Sequence, residues 1–230
     1  MHSNGSLDFL DMIKNGQAAS KPAPRASRSK DDVPAPRSAA AAEKASGNLI
    51  AVIDTETNWH DQVMSLGIAY ADAKTFKCVD SSYYIFKEES RVGGMFSSVL
   101  HKCEERPKVF CRSEAMDAVR AELESAGVKK IFAYNAKFDY GHLPELADFE
   151  WYDIMRLAAY KQYNRAITDE YDCCKTGRLK SNYGVEPITR MLSGDFRYFE
   201  VHNAICDAVD ELHIMELLGQ ELEAYTCARL

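Results

Sequence analysis

Asp54-Thr55-Glu56 closes the short apolar run from Leu49 to Ile53. Carboxylates two residues apart on extended backbone face the same side of a sheet. Like charges held side by side destabilise a fold unless something neutralises them, and a divalent cation with oxygen ligands does so. An exposed acidic turn is the competing account. Asp139 follows in Tyr134-Asn135-Ala136-Lys137-Phe138-Asp139, where an apolar run enters a polar turn. Taken alone it reads as a helix-capping carboxylate. His202-Asn203-Ala204-Ile205-Cys206-Asp207 supplies the third piece, an imidazole five residues ahead of a carboxylate. Imidazole titrates near neutrality and suits proton transfer, whereas a lone histidine in a surface or core position is chemically silent.

These side chains need elements to hold them. Leu49 to Ile53 is rich in β-branched residues and predicts a buried strand. Val63 to Tyr70 and Cys78 to Phe86 also read as strands, completing a three-strand meander. Met116, Val119 and Leu123 recur at helical spacing between a cap at Ser113 and a stop at Gly127. Ile131 to Tyr134 predicts a fourth strand, and Glu150 to Tyr152 begins a fifth. Helices are expected over 154–162, 187–192 and 204–218. Pro187 suits a first turn, and the last helix buries Ile205, Val209, Leu212 and Met215. Strands first and alternating elements later predict a mixed sheet with helices on its faces.

Together, Ile-Asp54-Thr-Glu56-Thr, Tyr-Asn135-Ala-Lys-Phe-Asp139 and His202-Asn-Ala-Ile-Cys-Asp207-Ala resemble, in this order, the three motifs of the DEDDh exonuclease superfamily. The resemblance covers about residues 48–220. It implies a ribonuclease-H-like α/β fold, a five-stranded mixed sheet flanked by helices. It further implies that Asp54, Glu56, Asp139 and Asp207 bind two divalent cations, Mg²⁺ or Mn²⁺. On that pattern Glu56 and Asp207 share one ion with Asp54, which bridges to the second near Asp139. His202 matches the general base that activates water. The implied activity is 3′→5′ hydrolysis of DNA or RNA single strands to 5′-monophosphates. Carboxylates suit such hard cations, and two ions about 4 Å apart can neutralise the phosphate, activate water and stabilise the leaving alkoxide.

Around the motifs, further residues are candidates for binding substrate. Thr57 fits a position whose backbone approaches the 3′-terminal nucleotide. Asn58 and Trp59 replace the smaller residues usual in the family. Trp59 either stacks on a base or packs over the sheet edge. Asn135 either orients the site through hydrogen bonds or only shapes its turn. Lys175, Arg178 and Lys180 form a basic loop that could hold a strand near the metals, with a solvated loop as the alternative.

The net charge of −7 weighs against a nucleic-acid partner only if no cation is bound, since bound ions reverse the local field. Seven cysteines, an odd number with no CxxC spacing, argue against a disulfide framework or a zinc ribbon. No apolar run near the start is long enough to span a bilayer, and no secretory signal is read there. A cytoplasmic enzyme is therefore expected, without membrane association. Residues 1–47 read as a disordered tail and linker, and residues 48–230 as the catalytic domain. An apolar island at 6–13 loosely resembles the motif by which bacterial replication proteins bind the sliding clamp. A proofreading role in replication or repair would follow from that. An incidental tail, an oligoribonuclease-like enzyme acting on very short RNA, and a non-catalytic binding or scaffold module are the rival readings. Oligomeric state is not legible.

Overall fold

The computed structural model describes residues 48–230. The tail 1–47, with the island at 6–13, lies outside the described residues. Strand β1 (Leu49–Thr57) is the axis of the domain. Its side chains alternate between two cores: Ile50 and Val52 pack on one face of the sheet, Ala51 and Ile53 on the other. A strand covered on both sides must be apolar at consecutive positions, which is why Leu49 to Ile53 shows no polar alternation. β2 (Val63–Asp72) is buried almost throughout for the same reason. With β3 (Cys78–Phe86) these strands form an antiparallel meander.

After β3 the chain forms α1 (Lys87–Val92) and a 3₁₀ turn at Ser97–Val99. β4 (Lys108–Phe110) then joins the edge of β3 in parallel. α2 (Arg112–Ser125) leads to β5 (Lys130–Ala133), α3 (Lys137–His142), β6 (Glu150–Asp153) and α4 (Met155–Ala158). α5 (Val185–Ser193) and α6 (Ala204–Leu218) complete the helices, and a 3₁₀ segment runs from Leu222 to Ala228. β5 lies parallel to β1 and β6 parallel to β5, giving the order β4-β3-β2-β1-β5-β6. α2 packs on one face of the sheet, and α5 and α6 on the other. The domain is thus the expected mixed α/β sheet flanked by helices. No helix among the described residues is long and apolar enough to cross a membrane.

The sheet has six strands where five were expected. β4 is three residues long at an exposed edge, so its sequence carries no burial pattern. α2 starts at Arg112, and its cap is Cys111 rather than Ser113; the Cys111 N–H donates to Glu114 Oε2 at 3.4 Å. α4 spans four residues, much less than 154–162. Its end is fixed by Asn164, whose amide donates to the Ala158 carbonyl at 2.7 Å, and by Lys161 N–H bonding Gly177 instead of continuing the helix. α6 matches its expected bounds, but Val209 is largely exposed, and the buried stripe instead includes Asp207 and Glu211.

One contact sets the depth of α6. A Cβ on Gly67 of β2 would lie 2.2 Å from the Ala204 carbonyl oxygen and 2.4 Å from Ile205 N. Only glycine lets a helix start approach a strand backbone so closely. Gly67 is the antiparallel partner of Asp54.

Candidate active site

The three acidic motifs meet at the carboxyl ends of the parallel strands β1 and β5. Asp54 and Glu56 sit two residues apart on β1 beside Gly67 and Ser65, and a bulge follows between Glu56 and Thr57. α6 starts against Gly67, so its first turn carries Asp207 to the same place. Ligand atoms of Glu56, His202 and Asp207 all lie within 4.8 Å of one another. Asp139, in the first turn of α3, is buried, and its Oδ1 accepts a hydrogen bond of 2.7 Å from Thr55 Oγ1. That bond ties the second motif to the first.

His202 sits in left-handed backbone, φ +58°. Its ring stacks on Phe96, centroids 4.1 Å apart and planes 21° from parallel. Asn203 anchors the next position: its amide donates to the Val99 carbonyl at 2.8 Å and to Tyr83 Oη at 3.3 Å. The segment from Phe96 to Leu100 therefore braces the third motif. Gly94, two residues earlier, packs against the end of the first, where a Cβ would lie 2.5 Å from the Thr57 carbonyl.

A fifth acid, Glu211, stands one turn beyond Asp207 on the same buried stripe of α6. Its Oε2 accepts from Tyr134 N–H at 2.9 Å. The β1–β5 register pairs Val52 with Phe132, so two residues on it sets Tyr134 beside Asp54. Sequence reasoning missed Glu211, although its i+4 spacing from Asp207 was the available signal.

Burial, then the charges of Glu211, Asp139, Asp207 and Glu56, raise Asp54 well above the usual carboxylate range. Burial, followed by Asp207, pushes Glu56 up to about 8. Burial, followed by Glu200, pushes Asp207 up to about 8. Asp139 is raised to about 7 by burial, with the Thr55 hydrogen bond opposing. Asp54 Oδ2 and Asp207 Oδ1 are buried without any hydrogen-bond partner. Buried, unpaired carboxylate oxygens are costly. No lysine or arginine shares an ion pair with these five acids among the described residues. Hard oxygen donors converging with lone pairs unused fit divalent Mg²⁺ or Mn²⁺.

The remaining candidates divide. Trp59 is 66% exposed, so its ring does not pack over the sheet edge, while its backbone N–H donates to the Gly93 carbonyl at 3.0 Å. Asn58 is buried and caps the β1–β2 turn, its Oδ1 accepting from His60 N–H and Gln62 N–H. Thr57 is half-buried at the bulge. Asn135 has φ +61° and an exposed side chain, and its N–H donates to Asp153 Oδ1 at 3.0 Å. Its part is to turn the chain into α3. Lys180 pairs with Asp172 at 2.8 Å, the Arg178 guanidinium lies over the Tyr183 ring at 5.2 Å, and Lys175 is exposed. None of these three basic residues shares a hydrogen bond or ion pair with the five acids.

No protein-family profile matches the chain, and no curated protein matches it significantly. Solved structures do. E. coli exonuclease I in a single-stranded DNA complex superposes with a TM-score of 0.54 at 13% identity, covering 75% of this chain and 40% of that one. Its apo form gives 0.54 at 13% identity, covering 78% and 43%. The nuclease domain of 3′hExo, a DEDDh family member bound to rAMP, gives 0.51 at 10% identity, covering 75% and 92%. The chain spans about two fifths of the exonuclease I structures it matches. At these identities the likeness establishes the fold, which is that of the ribonuclease-H-like DEDDh nucleases.

Proposed function

We propose that this chain is a metal-dependent 3′→5′ exonuclease that removes 5′-monophosphates from the 3′ ends of single-stranded DNA or RNA. The observation that carries this reading is the convergence of Asp54, Glu56, Asp139, Asp207 and His202 on one buried site, with two carboxylate oxygens left unpartnered. Fold alone would not license an activity; the side chains brought together at the site support this one. The TM-scores to exonuclease I and to 3′hExo lend support at the level of architecture.

Asp54, Glu56, Asp139 and Asp207 would hold two divalent ions. When bound, these would supply the positive charge that stabilises both the attacking water oxygen and the leaving oxygen of the phosphodiester. Thr55 fixes the rotamer of Asp139 through its hydroxyl. His202, held flat by Phe96 and within reach of the Glu56–Asp207 pair, accepts the proton of the attacking water. Asn203, next to that histidine, anchors the segment through its side-chain amide, which donates to the Val99 carbonyl. Trp59 at the mouth offers an exposed face on which a base can stack.

The test is a cleavage assay on 5′-labelled single-stranded DNA, duplex DNA, RNA and a very short RNA, each in Mg²⁺, Mn²⁺ or EDTA. A ladder that shortens from the 3′ end and disappears with EDTA, Asp54→Ala and His202→Ala is expected. Intact substrates under both metals would overturn the reading.

A further inference from the structure

Between α5 and α6 the chain runs Gly194-Asp195-Phe196-Arg197-Tyr198-Phe199-Glu200-Val201, directly into His202. Phe196 is 79% exposed, Phe199 67%, and the Arg197 side chain 94%. Two exposed phenylalanines three residues apart are unusual, because burying each ring would be favourable in proportion to the area it hides. Their display is not the result of a slack loop. Gly194 turns the chain at φ +72°, and Asp195 Oδ1 accepts from Arg197 N–H at 3.0 Å. Tyr198 points inward, its hydroxyl donating to Asp210 Oδ2 at 2.7 Å and its carbonyl accepting from Arg190 Nε at 2.7 Å. Glu200 N–H donates to Glu186 Oε2 at 3.2 Å. The anchored tyrosine thus fixes its neighbours outward.

We infer that Phe196, Arg197 and Phe199 form a platform for the unpaired bases and the backbone of a single-stranded nucleic acid whose 3′ end enters the neighbouring site. This rests on the nuclease reading above. Phe199 stands three residues before His202, so their Cα atoms lie within about 11 Å, within reach of the first nucleotides of a strand held at the site. A strand leaving the carboxylates in this direction therefore meets the two rings. Every base has a π-face, so stacking is sequence-tolerant. A duplex keeps those faces occupied, so the platform serves single strands. Arg197, only loosely held by Asp195 at 3.6 Å, is free to meet phosphate.

The experiment uses the full chain carrying Asp54→Asn to block hydrolysis, with fluorescent 12-mers of oligo-dT and oligo-rU read by anisotropy. Adding Phe196→Ala and Phe199→Ala should weaken binding on the order of 10–100-fold. Phe196→Leu with Phe199→Leu, which keeps apolar bulk and removes the π-face, should not restore it. In the active background, the double alanine variant should lose at least tenfold more kcat/KM on a 12-mer than on a dinucleotide, mainly through KM. Unchanged 12-mer affinity, or full rescue by leucine, would overturn the inference. So would a wild-type dimer that the alanine pair converts to monomer without changing affinity, which would mark the patch as a contact between copies. A wild-type protein that cleaves neither substrate would instead sink the nuclease reading.

Discussion

Glu211 Oε2 accepts the backbone N–H of Tyr134 at 2.9 Å, joining the helix that carries Asp207 to the strand end that leads to Asp139. The carboxylate is 2% exposed, and burial followed by the charge of Asp139 holds it well above its ordinary range. Glutamine keeps the acceptor and removes the charge, whereas leucine removes both. Urea unfolding in EDTA should therefore find Glu211→Gln at least as stable as wild type. Glu211→Leu should fall below Glu211→Gln by about 1–3 kcal/mol, the cost of an unsatisfied buried N–H. Equal stability of the two variants would show that the hydrogen bond is not the anchor.

The raised carboxylates set a pH dependence. Glu56 and Asp207 are pushed to about 8 and Asp139 to about 7, each far above its value in an unfolded chain. Between about pH 4 and pH 8 the folded state thus holds more protons than the unfolded one, so stability falls as pH rises through this window. Urea midpoints measured in EDTA should decline from pH 5 to pH 8 and level off above. Because divalent ions bind only the deprotonated carboxylates, saturating Mn²⁺ should flatten or reverse that slope. A metal-free midpoint that climbs towards pH 8 would contradict the electrostatic account of the site.

On the proposed mechanism, Phe96 acts through His202, on whose ring it stacks. Removing the ring in Phe96→Ala leaves the imidazole without its stacked neighbour, and a displacement of about 1 Å can cost on the order of 100-fold in rate. The expected result is a kcat lowered about 10- to 100-fold with KM little changed, largely recovered by Phe96→Tyr. Steady-state kinetics beside thermal melting separates this from unfolding. A loss confined to KM would move Phe96 to the substrate surface.

Much of this arrangement is written locally in the chain. α6 is legible because Ile205, Leu212 and Met215 recur at helical spacing, and β1 because a strand buried on both faces must be apolar throughout. The Asp54-x-Glu56 pair is legible because side-chain alternation depends on the strand alone. α1 escaped because Lys87–Val92 is polar and buries nothing, and β4 because an exposed edge leaves no pattern. Phe96 under His202 is a tertiary contact between distant segments, and no local rule reports it. Glu211 was not singled out, because the inward stripe of α6 was assigned by hydrophobicity, whereas the buried stripe also carries carboxylates.

Gly67 has a consequence for the order in which the chain acquires its chemistry. The helix that brings Asp207 to Asp54 docks through a backbone contact with β2, which only a finished meander presents. Those two acids come from opposite ends of the domain, so their meeting depends on loop closures that are slow to form. A polypeptide that ends ahead of His202 carries Asp54, Glu56 and Asp139 without the histidine and carboxylate that complete the proposed centre. The proposed centre is therefore complete only once the last helix has docked on the meander.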